Sequence, residues 1–287
     1  MPSLIDFRRR IRSVKNTQQI TKAMKMVSAA KLRRAQERVI AARPYAKTMR
    51  ELLANLVAAA ASDERSADSS WLQTRELKRA DLIFFSSDTG LAGAFNSNLL
   101  KAAQKFHEEH PGVQVTLTLV GRKGRDFYRR REAKILSEHI NVLNRPTYQD
   151  AAGIAKEVIR RYKDGETDGV FVINNDFKSV MASFLSVSQL LPLTVDQAAP
   201  AQTDYIYEQS PLDMLESLMP RFVEVAVFRA MLETVAAYQA ARMTAMDTAS
   251  TNAREVIDAL TLHMNRVRQA AITKEIIEVV SGAAAAE

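Results

Sequence analysis

The chain has 287 residues, with 40 basic and 33 acidic side chains, nine Gly, eight Pro, no Cys and a net charge of +7. That length holds one large domain or two modest ones, and the lack of Cys excludes a disulfide scaffold, a thiolate zinc site and a cysteine nucleophile. A composition 47% apolar and 25% charged excludes wholesale disorder, and the uncharged run from Ser179 to Val195, 17 residues with four Ser, is too short and polar to cross a bilayer.

The N-terminal segment, Ser3 to about Ala61, reads as helix. No Gly occurs in the first 89 residues and no Pro between 3 and 43, so nothing stops a helix there. Its apolar stripe runs Phe7, Ile11, Val14, then a polar interval around Thr17 and Gln18, then Ile20, Met24 and Val27. A second register follows in Leu32, Ala35, Val39 and Ala42, and Pro44 is expected to bend or interrupt the helix. Residues 1–50 carry 14 basic side chains against Asp6 and Glu37, a local net of +12. Arg8, Arg9, Arg10 and Arg12 admit three readings: a nucleic-acid arm, a transit peptide, or the basic face of a structural helix. A transit peptide should end before the fold starts, and here the helical pattern continues through Met26 and Leu32. A nucleic-acid reader wants aromatic side chains beside the charge, and only Phe7 precedes Tyr45.

Most of the Gly and Pro fall between 90 and 200, where the pattern changes. Ala80–Ser87, Val113–Gly121, Ala133–Ile140 and Gly169–Asn174 read as short strands. Asn98–Glu109, Lys123–Arg131 and Tyr148–Lys163 read as the helices between them. This alternation implies βαβ units and a mostly parallel sheet, with Ser179–Ser188 and Tyr205–Glu208 as candidates for further strands.

The C-terminal segment follows a heptad. Steps of three and four from Leu215 reach Ala271 through 17 positions, of which only Arg229, Gln239 and Ser250 are polar. So long a repeat implies a left-handed coiled coil. Ser210 and Pro211 suit its start, Pro220 is expected to kink or restart it, and Gly282 suits its stop. Residues 211–287 carry a net −3, which complements the basic N-terminal helix. Alanines at 226, 230, 236, 237, 240, 241 and 245 permit close helix approach. The expected fold is α/β: a long antiparallel coiled coil of the N- and C-terminal helices with an inserted Rossmann-like α/β domain. The expected boundaries are 1–75, 76–209 and 210–287.

Motifs for chemistry are absent. Gly90 and Gly93 follow the first strand, where a doubly wound sheet holds phosphate, but neither G-x-G-x-x-G nor a P-loop occurs. Gly121-Arg-Lys-Gly124 lacks a Ser or Thr for magnesium, so both glycine pairs read as structural βα turns. His107 and His110 stand three apart, not four, with Pro111 next, and suit a solvated helix end better than zinc. No catalytic residue, cofactor or metal ligand emerges from this reading.

Five segments, in order, resemble the gamma subunit of rotary ATP synthases. They are Val14–Val27 (VKNTQQITKAMKMV), Asp88–Asn96 (DTGLAGAFN), Ser188–Leu193 (SQLLPL), Asp204–Glu208 (DYIYE) and Ile272–Ala285 (ITKEIIEVVSGAAA). The resemblance covers essentially the whole chain. It implies a non-catalytic rotor shaft inside a ring of alternating alpha and beta subunits, which hold the nucleotide sites. The foot of the shaft would stand, with the epsilon subunit, on the proton-driven c-ring of the membrane. One copy would serve each complex, with no nucleic-acid partner, peripheral to the cytoplasmic face of a bacterial plasma membrane. The start at Met1 without a presequence suits a bacterial source.

By the family's pattern, Arg268 and Gln269 would hydrogen-bond a beta-subunit loop. Met24 and Lys25 would pass an acidic beta-subunit segment. Tyr205, Tyr207 and Glu208 would meet the ring and epsilon. Two departures stand out: Thr89 where many relatives have Arg, and Ala92 where they often have Cys. The cysteine pair of chloroplast members is absent, which excludes their thiol control. Two other readings stay open on residues alone: a coiled-coil adaptor with an α/β head, and a nucleotide-dependent enzyme using the turn near Gly90.

Overall fold

A computed structural model describes residues 4–60, 69–73, 75–179, 183–193, 205 and 207–284. Helix α1 runs Leu4–Ala60 and helix α5 runs Pro211–Ala284. Pro44 and Pro220 lie inside them and end neither. Each proline leaves the carbonyl four residues back without its helical partner. Those carbonyls belong to Ile40 and Glu216, both exposed residues. Gly282 also fails to stop α5, which continues to Ala284.

Between the helices lie β1 (Arg79–Phe85), α2 (Phe95–Glu109), β2 (Gln114–Val120), α3 (Arg122–Tyr128), β3 (Lys134–His139), α4 (Tyr148–Lys163), β4 (Gly169–Phe177) and β5 (Ser183–Leu191). The sheet order is β3-β2-β1-β4-β5, parallel except for β5, which returns antiparallel on β4. This is the Rossmann-like domain that the alternation implies. Tyr205, Tyr207 and Glu208 carry no strand, contrary to expectation, and Ile206 lies outside the described residues.

The chain forms two compact units: residues 30–241, and residues 1–29 with 242–287. In the larger unit, the sheet is covered on both faces. Phe84 packs edge-on to Tyr128 of α3, and Phe171 packs on Phe106 of α2. On the opposite face, Ile83, Phe85, Val170 and Val172 share one core with α4 (Ile154, Val158, Tyr162). The same core takes in α1 (Leu53, Leu56) and α5 (Leu215, Met219, Val223, Val227). The only Trp, Trp71, is buried there beside Tyr162.

In the smaller unit, the beginning of α1 lies antiparallel to the end of α5. Phe7 meets the ring of His263 at 5.0 Å, Thr21 shares a 2.7 Å hydrogen bond with Ser250, and Lys25 reaches Asp247 at 2.6 Å. Each of the 17 heptad positions from Leu215 to Ala271 is buried or half-buried. The α1 seam departs from expectation. Ile20, Met26 and Val27 are exposed, whereas Gln18, Thr21 and Ser28 face inward. Positions 7, 11, 14, 18, 21, 25, 28, 32, 35, 39 and 42 form one unbroken register, not two. The polar interval is the seam itself, where Gln18 and Thr21 hydrogen-bond to Ser250 of the facing helix.

Candidate partner-binding surfaces of the shaft

The smaller unit presents two kinds of surface. Along α1, Arg8, Arg9, Arg10, Arg12, Lys15 and Lys22 are exposed and make no ion pair among the described residues. Arg9 and Arg12 face away from the seam, whereas Arg8, Arg10, Lys15 and Lys22 flank it, beside core positions 7, 11, 14 and 21. Among the described residues, the expected charge complementarity between the long helices is seen in Lys25 with Asp247 and Arg43 with Glu233. Along α5, the partner helix runs out: Phe7 already faces His263, and α1 begins at Leu4. From Ile272 to Ser281 every residue is exposed, including Ile272, Ile276, Ile277, Val279 and Val280. These five apolar residues are interleaved with Lys274, Glu275 and Glu278.

The residues singled out by resemblance lie on these surfaces and elsewhere. Arg268 and Gln269 are adjacent and exposed, with no ion pair or hydrogen bond among the described residues, just before the bare apolar end. Met24 is half-buried, and the Lys25 ammonium is held by the Asp247 carboxylate at 2.6 Å. Tyr205 is exposed. Tyr207 is half-buried against the core of the larger unit, its ring 6.2 Å from that of Tyr205, and Glu208 is exposed.

Within the larger unit, residues that the sequence reading passed over bind α5 to the sheet. Glu233 is fully buried. Its carboxylate accepts from the backbone N–H of Phe177 at 2.8 Å and from the Arg43 guanidinium at 3.2–3.3 Å. Arg43 also donates to the Phe177 carbonyl at 2.5 Å. Thus α1, the end of β4 and α5 meet at one charged knot. A second link joins α5 to the loop after β1: the Tyr238 hydroxyl lies 2.5 Å from Thr89 Oγ1 and donates to the Gly90 carbonyl at 3.3 Å. Glu233 is one residue past Leu232 in the heptad, an acidic position beside the seam that marks it as a candidate for a buried partner.

The glycine turns are structural. Gly121 has φ +101°, and a Cβ there would sit 2.3 Å from the Ser86 carbonyl oxygen; a Cβ on Gly124 would strike the Phe84 ring. Ser86 donates its backbone N–H to the Val120 carbonyl and accepts from the Gly124 N–H, so the glycines let α3 begin against β1. His110 stacks on Phe106 and bonds its carbonyl, while His107 is exposed. At the other end of the sheet, Asp81 and Arg161 form a buried pair at 2.8 Å. Burial pushes the Asp81 carboxyl above the usual carboxylate range despite the arginine. Arg79 grips Asp168 at 2.9 Å. These pairs brace the sheet bottom.

An ATP synthase family model matches residues 3–286. The chain is 57% identical to the ATP synthase gamma chain of Solibacter usitatus, with 100% of both chains covered. It is 48% identical to that of Geobacter metallireducens, with 99% of this chain and 98% of the relative covered. The chain belongs to the ATP synthase gamma chain family. It is accordingly a non-catalytic subunit.

Solved structures share the fold. One is the central stalk and c-ring of the Tetrahymena thermophila mitochondrial ATP synthase (TM-score 0.60, 24% identity, 80% of this chain and 99% of that one). Another is the rotor of the Euglena gracilis mitochondrial ATP synthase (TM-score 0.67, 19% identity, 94% and 98% covered). None of the helices, among the described residues, is long and apolar enough to cross a membrane.

Proposed function

We infer that the chain is the central rotor shaft of a rotary ATP synthase. It mechanically couples proton-driven rotation of the c-ring to ATP synthesis or hydrolysis at alpha and beta subunits. The observation that carries this reading is the end-to-end match with gamma chains, joined to a helical hairpin whose α5 is exposed from Ile272 to Ser281. Two helices gripping one dry seam resist bending and twisting more than one helix does, as torque transmission requires. The bare apolar end suits an apolar bearing, where area burial without interlocking permits turning.

Finer assignments follow from the same reading. Arg268 and Gln269, unpaired at the rim of that end, would hydrogen-bond the beta subunit. Met24 and Lys25 would meet its acidic segment, with Lys25 shared between that segment and Asp247. Tyr205, Tyr207 and Glu208 would contact the c-ring and epsilon. One copy would serve each complex at the cytoplasmic face of a bacterial plasma membrane, held there peripherally. The family places the adaptor and enzyme readings second.

The test is assembly and turnover. The full chain should co-purify with alpha and beta subunits, and Arg268→Ala with Gln269→Ala should lower coupled turnover of the assembled complex at least severalfold, since hydrogen bonds to charged groups contribute about 1.5–3 kcal/mol each. Wild-type turnover in the double variant would remove these two residues from the interface. Failure to co-purify would remove the shaft reading itself.

A further inference from the structure

In the smaller unit, Ser250 is the only polar side chain among the heptad positions of α5 from Met243 to Ala271. It sits opposite the polar interval of α1. Thr21 and Ser250 are both more than nine-tenths buried, and their hydroxyl oxygens lie 2.7 Å apart. The Gln18 amide donates to the Ser250 carbonyl at 3.3 Å. Each hydroxyl also reaches a carbonyl of its own helix, Thr21 that of Gln18 at 3.0 Å and Ser250 that of Met246 at 2.9 Å. Two protons therefore serve three bonds. Whichever hydroxyl donates across the seam, the other donates within its own helix, so no buried donor is stranded.

Stability alone does not call for this layer. Replacing both partners of a buried hydrogen bond by apolar groups of like shape is nearly neutral or stabilising, so a Val facing an Ala would serve the seam as well. What apolar side chains lack is direction. Their attraction follows buried area, and one contact is traded for the next as helices slide. A hydrogen bond is confined to a narrow range of length and angle. For this reason a single polar core position sets the register of a coiled coil, at some cost in stability.

We propose that Gln18, Thr21 and Ser250 form a register pin, which holds α1 and α5 of the hairpin against lengthwise sliding. The purpose of the pin rests on the shaft reading. When a rod of two layers bends, the layers slip past each other unless something holds them, and held layers bend as one thicker beam. A shaft pushed from the side by its surroundings therefore gains stiffness from a bond across its seam. Lys25 and Asp247 reach across beside the pin, but both are about half exposed, where water and salt weaken the pair. Thr21 and Ser250 do the same work out of water.

The chain has no Cys, so introduced cysteine pairs can report sliding in the full chain. Lys25→Cys would be combined with Asp247→Cys, its facing partner, or with Thr244→Cys or Thr251→Cys, exposed positions to either side of it. The facing pair should oxidise at least about tenfold faster than either displaced pair, because one turn of helix, about 5.4 Å, carries the Cα atoms beyond disulfide reach. Making the layer apolar, by Thr21→Val with Ser250→Ala, should reduce that preference about threefold or more while the melting temperature holds or rises. Thr21→Ser keeps the hydroxyl and should keep the original preference. Thr21→Val alone leaves Ser250 its bond to Met246 and carries the test if the double variant does not fold. An unchanged preference in the apolar variant would overturn the proposal, and so would its loss in Thr21→Ser. The free chain gives this readout, so failure to co-purify with alpha and beta subunits would remove the shaft reading and leave the pin standing.

Discussion

Helix α5 obeys one heptad along its length, yet its two halves live in different surroundings. Between Leu212 and Ala240 it buries several faces: Leu215, Met219, Val223, Val227, Met231, Ala236, Ala237 and Ala240 are all buried. After Ser250, among the described residues, only Ala253 is buried, and the heptad positions that follow are half-covered. The same periodic code therefore runs through a base, where α5 packs on the sheet and α1, and an axle, where it packs on α1. What separates them is not the a and d positions but the residues between, apolar in the base and polar or charged in the axle.

The sharpest way to break this comparison is to make one chemical change in both halves. Met231 is fully buried in the shared core, while Met264 is a half-covered seam residue. Met231→Ala should cost about 3 kcal/mol, within the range for core deletions, and Met264→Ala under about 1 kcal/mol. Urea unfolding followed by Trp71 fluorescence reads the first, and far-ultraviolet circular dichroism reads both. Equal costs would mean that the axle is as firmly clasped as the base.

A smaller effect is expected at the charged knot of the base. Glu233→Gln keeps the shape but replaces the charged partner of Arg43 and Phe177, and should cost about 2 kcal/mol by the same fluorescence measurement. The axle analogue, Lys25 with Asp247, is about half exposed on both sides, and Asp247→Asn there should change stability by less than about 1 kcal/mol. Similar losses at the two sites would contradict the difference in burial.

The smallest effect concerns pH and is confined to the base. Burial holds the His139 pKa below its ordinary 6.5. The unfolded chain therefore binds the proton first, so the stability of this unit is intact above about pH 6.5 and declines as pH falls below it. His139→Gln should flatten that decline between pH 7 and 5.5. An unchanged profile would place the titration elsewhere.

Much of this architecture is legible in the residues. Long stretches without Gly or Pro announce α1 and α5, and β-branched runs announce β1 to β4. The steps from Leu215 hold to Ala271 because α5 is apolar enough for its period to be unambiguous. In α1, following hydrophobicity leads to Ile20 and Val27, which face water, while Gln18, Thr21 and Ser28 keep the seam. Apolarity is a proxy for burial, and it fails where a hydrogen bond such as Thr21 to Ser250 satisfies a polar side chain inside. Pro44 and Pro220 mislead similarly, since both lie inside helices that continue past them.

The surfaces are harder to read than the fold. An exposed Arg268 has the same local pattern as any solvated arginine, and only resemblance singles it out. The Glu233 knot joins residues 43, 177 and 233, a separation that no local window spans. Long-range juxtaposition is what a fold adds to a sequence.

The central claim, that this chain turns as a body inside the catalytic head, can be watched directly. The chain contains no Cys, so Lys101→Cys on the exposed face of α2 would provide its single label. With the alpha and beta subunits fixed to a surface, a probe on that cysteine should rotate continuously in one direction when ATP is added, and stop when it is exhausted. A probe that stays fixed while the complex hydrolyses ATP would contradict the account.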